Sequence, residues 1–381
     1  MRRALLAVVV LAAAVAALAP VQASGDASGT SATGPSIDAA AWYLVGADGT
    51  VLAQQSSRRS RAIASITKVM TALVALEHAR PSDVVRVSPS AAGVGGSTIF
   101  LRGGEELTVA TLVRGMLIPS ANDAATALAV HVGDGSVARF VSLMNAKARA
   151  LGLEDTSFTN PHGLDEAGHV SSARDATLLV KHAFGKPFVR DVLSRTSFSL
   201  SGRTFETTDD LLDWPALAAG KTGHTEAAGW SQAGAAVGRG ATVYGTVLGG
   251  ATRERRNAAL QELLRYGIAS YRRIAAIDST RVYAKAETGY GRSEVRLVAP
   301  RTLTRTVLGT KSLLERVVAP SSVELPVREG QRLGRVEVWD GDVLLASSRL
   351  VAADAVTEPG FFGKVGWFAK RTAANLWGIF T

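Results

Sequence analysis

Three short strings in the chain bring a hydroxyl, an amine and an amide together at spacings that suit nucleophilic chemistry: Ser65-Ile66-Thr67-Lys68, Ser120-Ala121-Asn122 and Lys221-Thr222-Gly223. In the first, Lys68 follows Ser65 by one helical turn, so its amine can reach the hydroxyl. A helix N-terminus stabilises negative charge and disfavours a protonated lysine, and burial acts the same way. A neutral Lys68 can then take the Ser65 proton as the oxygen attacks a carbonyl. The plain alternative is a serine N-cap beside a solvated lysine. The second string follows Met116-Leu117-Ile118-Pro119, in a predicted loop between two helices. There Ser120 can shuttle a proton and Asn122 can hold a substrate amide, or Ser120 simply caps a helix over Asn122–Val132. In the third, Lys221 and Thr222 offer a cation and a hydroxyl to a carboxylate, and Gly223 lets a ligand backbone approach closely. It is expected just before a strand, with a turn as the alternative. Each string is weak by itself; the signal is all three, in this order.

Positioning these groups requires a framework. Trp42-Tyr43-Leu44-Val45, Ala47-Asp48-Gly49 and Val51-Leu52 read as a β-hairpin with an Asp-Gly turn. From Ile66, apolar residues recur at Val69, Met70, Leu73 and Val74, the helical period. The same spacing appears at Val109, Leu112, Val113, Met116 and Leu117, and at Val137, Phe140, Val141, Met144, Ala148 and Leu151. Strands are expected near Trp230–Val237 and Thr242–Leu248, and a helix near Ala258–Tyr266. Strands thus open and close residues 37–274 and helices fill the middle, which predicts one sheet with helices on both faces, an α/β class. Residues 277–355 alternate instead, at Val295/Leu297, Val323/Leu325/Val327 and Val336/Val338, with Asp340-Gly341 as a second hairpin turn. They predict a small β-rich domain with no polar constellation of its own.

At the three strings, and in the text around them, the chain resembles the penicillin-recognising serine enzymes. More narrowly it resembles a low-molecular-mass penicillin-binding protein, a serine-type D-alanyl-D-alanine carboxypeptidase. The narrowing text is Ala64 through Ala72, Ile118 through Ala125, Met144-Asn145, Asn160-Pro161-His162-Gly163-Leu164-Asp165 and Gly220 through Gly229, and the likeness covers residues 37–272. The resemblance implies a β-lactamase/transpeptidase-like catalytic domain with an antiparallel sheet. It also implies cleavage of the terminal D-Ala from peptidoglycan pentapeptides through an acyl-enzyme, with β-lactams as inhibitors. Carried over, Ser65 is the acylated nucleophile and Lys68 its base. Ser120 and Asn122 assist proton transfer and positioning. Lys221 and Thr222, with Gly223, bind the terminal carboxylate. The N–H groups of Ser65 and His224 form the oxyanion hole. Two departures stand out: Asp209 in Thr208-Asp209-Asp210-Leu211-Leu212, where the family often has Asn, and Ser171-Ser172-Ala173 in place of Ser-Thr-Ala.

Three other readings compete. A class A β-lactamase needs a carboxylate to activate a deacylating water. Glu154 and Glu166 stand at suitable positions but not in a Glu-x-x-x-Asn setting. A cell-wall endopeptidase would share every catalytic residue. A catalytically silent wall-binding protein has no chemical reason to keep all five reactive side chains.

Composition narrows the partners. With 42 Lys+Arg against 33 Asp+Glu the formal charge is +9, which favours anionic partners such as lipid headgroups or wall polymers. No basic run is long enough to argue for nucleic acid. There is no cysteine, and the six histidines lack metal-ligand spacing, so neither a metal nor a cofactor is expected. Residues 1–23 read as a secretory signal and 24–36 as a flexible linker. In 359–381, Phe361, Val365, Phe368, Leu376, Ile379 and Phe380 share one helical side, while Lys364, Lys370 and Arg371 lie opposite. That pattern predicts an amphipathic segment lying on an anionic membrane, with a helix packed on the protein's own surface as the alternative. The expected location is outside the cell: the outer face of the cytoplasmic membrane, or the wall.

Overall fold

A computed structural model describes residues 34–380, with side chains described through residue 373. The expected signal segment, most of the linker, and the side chains of Leu376, Ile379 and Phe380 lie outside the described residues. The chain divides into two compact units, with the boundary between Tyr271 and Arg272.

The first unit is built on a five-stranded antiparallel sheet, in the order Val51–Gln55, Ala41–Gly46, Ala241–Gly250, Gly229–Gly238, Leu217–Thr225. The first two strands are the expected hairpin. Gly49 supplies the positive φ of its turn (88°), and the Asp48 carboxylate accepts a hydrogen bond from the Thr50 N–H at 3.0 Å. Helices cover both faces, as the alternation of elements predicted. On one face Thr177, in helix Ala173–Phe184, donates to Thr246 at 2.7 Å. On the other, Gly245 leaves room for Leu263 and Leu264 of helix Arg253–Ala269.

The helical middle packs as its periodicity requires. Ile66, Val69, Met70 and Leu73 are buried against Leu112, Val113 and Met116 of helix Val109–Leu117 and Ala124, Ala125 and Leu128 of helix Asn122–Val132. Each buried large aliphatic contributes roughly 1.5–3 kcal/mol. The helix carrying Lys68, Thr67–His78, is therefore clamped in the centre of the unit.

The second unit holds a six-stranded sheet, in the order Leu314–Val318, Arg332–Asp340, Val343–Ala352, Val295–Val298, Val282–Thr288, Ser322–Val323. It has its own core of Val295, Leu297, Val336, Val338 and Leu350. The hairpin expected at Asp340-Gly341 is present: Asp340 pairs with Val343, and the turn between them is Gly341, at φ 55°, and Asp342. A terminal helix, Phe361–Phe380, follows. Its Trp367 and Phe368 rings meet Tyr290 edge-on at 5.5 and 6.2 Å, and Lys364 lies 5.5 Å over the same ring. Phe361 and Phe362 remain 74% and 87% exposed. Among the described residues no helix is long and apolar enough to cross a membrane.

Candidate active site

Ser65 sits in a single tight turn, Ala64–Ile66, that runs directly into helix Thr67–His78. Lys68 Nζ lies 2.7 Å from Ser65 Oγ and 2.7 Å from the His162 carbonyl oxygen. Lys68 is fully buried. Burial, reinforced by the charge of Lys221 and opposed by Asp123, holds its pKa well below the usual lysine range. A neutral amine can keep one N–H on the His162 carbonyl and turn its lone pair to the Ser65 hydroxyl.

The His162 carbonyl is aimed by a loop that the three strings do not include. The Asn160 side-chain oxygen accepts from the N–H groups of Gly163 at 2.7 Å and His162 at 3.3 Å. Gly163 has φ 90°, and a Cβ there would stand 2.0 Å from the Ala64 carbonyl oxygen, so only glycine lets this loop touch the nucleophile turn. Thr71 Oγ1 donates to the Pro161 carbonyl at 2.6 Å, and Thr67 Oγ1 lies 2.8 Å from His169 Nε2. Burial pushes the pKa of both His162 and His169 down to about 4, so both rings are neutral at ordinary pH. Asn160 through Asp165 carry part of the family resemblance, but the resemblance alone gives them no task. The available signal was the Asn-x-x-Gly spacing.

The second string differs from its simplest expectation. Ser120 is not a helix cap: Ala121 is the N-cap residue of Asn122–Val132, and its position carries no side-chain cap among the described residues. Ser120 instead has φ 68°, a left-handed conformation that strains a non-glycine residue by about 1–2 kcal/mol. In that conformation its buried hydroxyl accepts a hydrogen bond from Lys221 Nζ at 3.0 Å. Asn122 donates from Nδ2 to the Gly95 carbonyl at 2.7 Å and from its backbone N–H to the Ser97 carbonyl at 2.6 Å.

The third string is not a turn, and it does precede the expected strand, which runs Gly229–Gly238, but it is itself in a strand. It lies inside the edge strand Leu217–Thr225, with Lys221 opposite Ala233 and Gly223 opposite Ser231. The glycine admits a close approach of protein rather than ligand. A Cβ on Gly223 would stand 2.8 Å from the Ile63 carbonyl oxygen and 3.1 Å from the Ser65 N–H nitrogen. Strand and nucleophile turn are thus in direct backbone contact, which places the main chain at His224 beside that at Ser65. The His224 ring is exposed and stacks on Trp230 at 4.0 Å, and the buried Arg256 lies 5.7 Å over the Trp230 ring.

Burial pushes the Lys221 pKa down to about 7; Asp209 opposes the shift and Arg256 adds to it. Thr222 Oγ1 is 2.6 Å from Thr208 Oγ1. Asp209, the departure from the family pattern, is buried, and burial raises its pKa. Its Oδ1 accepts from Gln232 Nε2 at 2.6 Å, whereas its Oδ2 and Gln232 Oε1 have no hydrogen-bond partner among the described residues. The other departure is local: Ser172 caps helix Ala173–Phe184 by accepting from the Asp175 N–H at 3.2 Å. Of the two candidates for the carboxylate a β-lactamase would need, Glu154 pairs with Arg58 at the surface and Glu166 accepts from Asn160 Nδ2 at 2.9 Å.

A serine and a buried, depressed lysine on one turn, with a second lysine on a strained serine hydroxyl, form an arrangement that can carry out acyl transfer through a serine. Residues 28–252 match the family described as D-alanyl-D-alanine carboxypeptidase. The chain belongs to that family. It is 31% identical to the D-alanyl-D-alanine carboxypeptidase DacF of Bacillus subtilis, over 86% of this chain and 87% of the relative. Among solved structures it resembles penicillin binding protein 5 from Haemophilus influenzae, with a TM-score of 0.63, 27% identity, and coverage of 86% of this chain and 99% of that one. It also resembles the Streptomyces K15 DD-transpeptidase, with a TM-score of 0.59 and 30% identity, over 62% of this chain and 99% of that one. The two longer matches extend beyond the first unit; the K15 match spans 62% of the chain.

Proposed function

We infer how this serine D-alanyl-D-alanine carboxypeptidase removes the terminal D-Ala of a peptidoglycan pentapeptide: through an acyl-enzyme on Ser65. Lys221, as a cation, and the Thr222 hydroxyl receive the terminal carboxylate. The penultimate carbonyl oxygen lies between the N–H groups of Ser65 and His224, which stabilise the oxyanion as it develops. Neutral Lys68 takes the Ser65 proton as Oγ attacks the carbonyl carbon. The proton held by Lys68 then passes through the hydroxyl of Ser120, itself held by Lys221, to the leaving D-Ala nitrogen, which returns Lys68 to its neutral form. Lys68 then accepts a proton from the water that attacks the ester, and Ser65 Oγ leaves with a proton. A β-lactam enters the same sequence at the same serine. Asn122, fixed through Nδ2, has its amide oxygen available for the peptide's N–H.

The observation that carries this assignment is the 2.7 Å separation between Ser65 Oγ and a fully buried Lys68 Nζ. The experiment is to incubate the purified protein with a pentapeptide ending in D-Ala-D-Ala and measure released D-Ala. Ser65→Ala should abolish both release and covalent labelling by penicillin. Labelling that persists on another serine overturns the assignment.

The terminal segment supports attachment to an anionic membrane surface. Phe361, Phe362 and Val365 are exposed, while Trp367 and Lys364 face Tyr290. Lys364, Lys370 and Arg371 would each cost about 2.5–3.5 kcal/mol at the centre of a spanning helix. Lying flat lets the phenylalanines enter the lipid and the basic residues meet headgroups. With the signal-like residues 1–23, this supports a location on the outer face of the cytoplasmic membrane.

A further inference from the structure

In the second unit the strands Leu314–Val318, Arg332–Asp340 and Val343–Ala352 lie side by side. Successive side chains on a strand point to opposite faces. Val336, Val338, Ala346 and Leu350 point into the core, so Arg335, Glu337 and Trp339 point outward with their cross-strand partners. On this outward face the register sets Arg335 directly opposite Arg349, and Arg316 directly opposite Glu337. Like charges placed directly opposite weaken a sheet, so folding alone does not explain the arrangement. Glu337 is engaged by Arg335 at 3.2 Å, and among the described residues neither Arg316 nor Arg349 makes an ion pair. A bulge between Val338 and Trp339 breaks the alternation on the partner strand and sets Leu344 opposite Trp339, so the next row is Leu314, Trp339 and Leu344, with Leu314 and Leu344 57% and 46% exposed. Three guanidinium groups therefore stand beside an exposed apolar row.

We propose that this face binds the polymeric form of the substrate, a glycan strand bearing stem peptides that end in free carboxylates. The proposal rests on the carboxypeptidase reading, since that reaction takes carboxylate-terminated peptides from such a polymer. Planar guanidinium forks match carboxylates in a bidentate geometry, and Arg316, Arg335 and Arg349 present three of them on one surface. The Leu314–Trp339–Leu344 row offers an apolar strip to the C–H faces of the sugar rings. A second contact on the same polymer raises the local concentration of peptide ends at Ser65 without any new contact in the active site. An anionic bilayer suits this face less well. The exposed Asp342 lies at the hairpin tip beside Leu344, where insertion would press its charge against headgroups.

The test uses the full-length chain with Ser65→Ala, which binds without consuming substrate, and purified insoluble peptidoglycan. Adding Arg335→Ser with Arg349→Ser should weaken co-sedimentation about tenfold, and added salt should narrow the difference. Adding Glu337→Gln instead should strengthen it. With Ser65 intact, the double variant should lose kcat/KM on the polymer while keeping that on a soluble pentapeptide. Unchanged sedimentation of both variants overturns the proposal. Loss of binding to anionic phospholipid vesicles with wall binding retained also overturns it, and assigns the face to lipid. Failure of the parent enzyme to release D-Ala from the soluble pentapeptide would instead count against the catalytic reading, because binding is measured without turnover.

Discussion

Gly223→Ala tests whether contact between strand and nucleophile turn forms the oxyanion hole. Gly223 does not have a positive φ, so alanine meets no backbone penalty and the effect is steric. The new Cβ would stand 2.8 Å from the Ile63 carbonyl oxygen, 3.1 Å from Ala64 Cβ and 3.1 Å from the Ser65 nitrogen, where ordinary contact begins at 3.4 Å. Relief requires the edge strand to retreat from the turn by roughly half an ångström, with general overpacking costs of about 1–3 kcal/mol. The neighbours are backbone and a short side chain clamped by the core, so no flexible group can yield. Retreat separates the His224 N–H from the Ser65 N–H, and losing one such donor costs about 10²–10³ in rate. Acylation by a fluorescent penicillin should therefore fall on the order of 10²-fold, and D-Ala release should fall in parallel. The melting temperature should drop by only several degrees. Gly289→Ala, which meets nothing within 4 Å, serves as the control. A folded Gly223→Ala protein that acylates at the parental rate would refute the reasoning.

Three other outcomes follow from the site. Lys68→Arg should be nearly as damaging to acylation as Lys68→Ala, because arginine cannot be deprotonated; substantial rescue by arginine would mean that Lys68 supplies only charge. Lys221 binds a carboxylate as a cation, and its pKa is pushed down to about 7. In the free enzyme kcat/KM should then decline as pH rises through that value, and Asp209→Asn, which removes the charge opposing the shift, should move the decline to lower pH. A limb that stays in place would show that Asp209 is not ionised there. Truncation after Glu358 should release the protein from anionic vesicles with near-parental cleavage of a soluble pentapeptide; continued sedimentation with vesicles, or lost activity, counts against a membrane role for the tail.

Much of the framework was legible because it depends on near neighbours. The Ser65–Lys68 pairing follows from helical spacing, and the Asp48-Gly49 turn and the hairpin at Asp340-Gly341 from residues that accept unusual φ values. The helical core follows from the period at Ile66, Val69, Met70 and Leu73. Partners far apart in the chain were not legible. Ser120 and Lys221 are separated by 101 positions, and nothing in Ser-x-Asn announces that Ser120 adopts φ 68° rather than capping a helix. Lys221-Thr222-Gly223 falls inside a strand because the small residues around it pack closely on both faces, so the segment shows no alternation to read. The acceptor for Lys68 is a main-chain carbonyl at His162, which no side-chain type encodes. By itself, then, the sequence determined which groups were available, the helical turn that pairs Ser65 with Lys68, and the three-string signature of the family. Only the tertiary structure decided that Lys68 and Lys221 lose their water and have depressed pKa values, that Asp209 is buried on Gln232, and that the edge strand lies against the nucleophile turn. Desolvation and backbone contact are made by segments that meet only when the chain is folded.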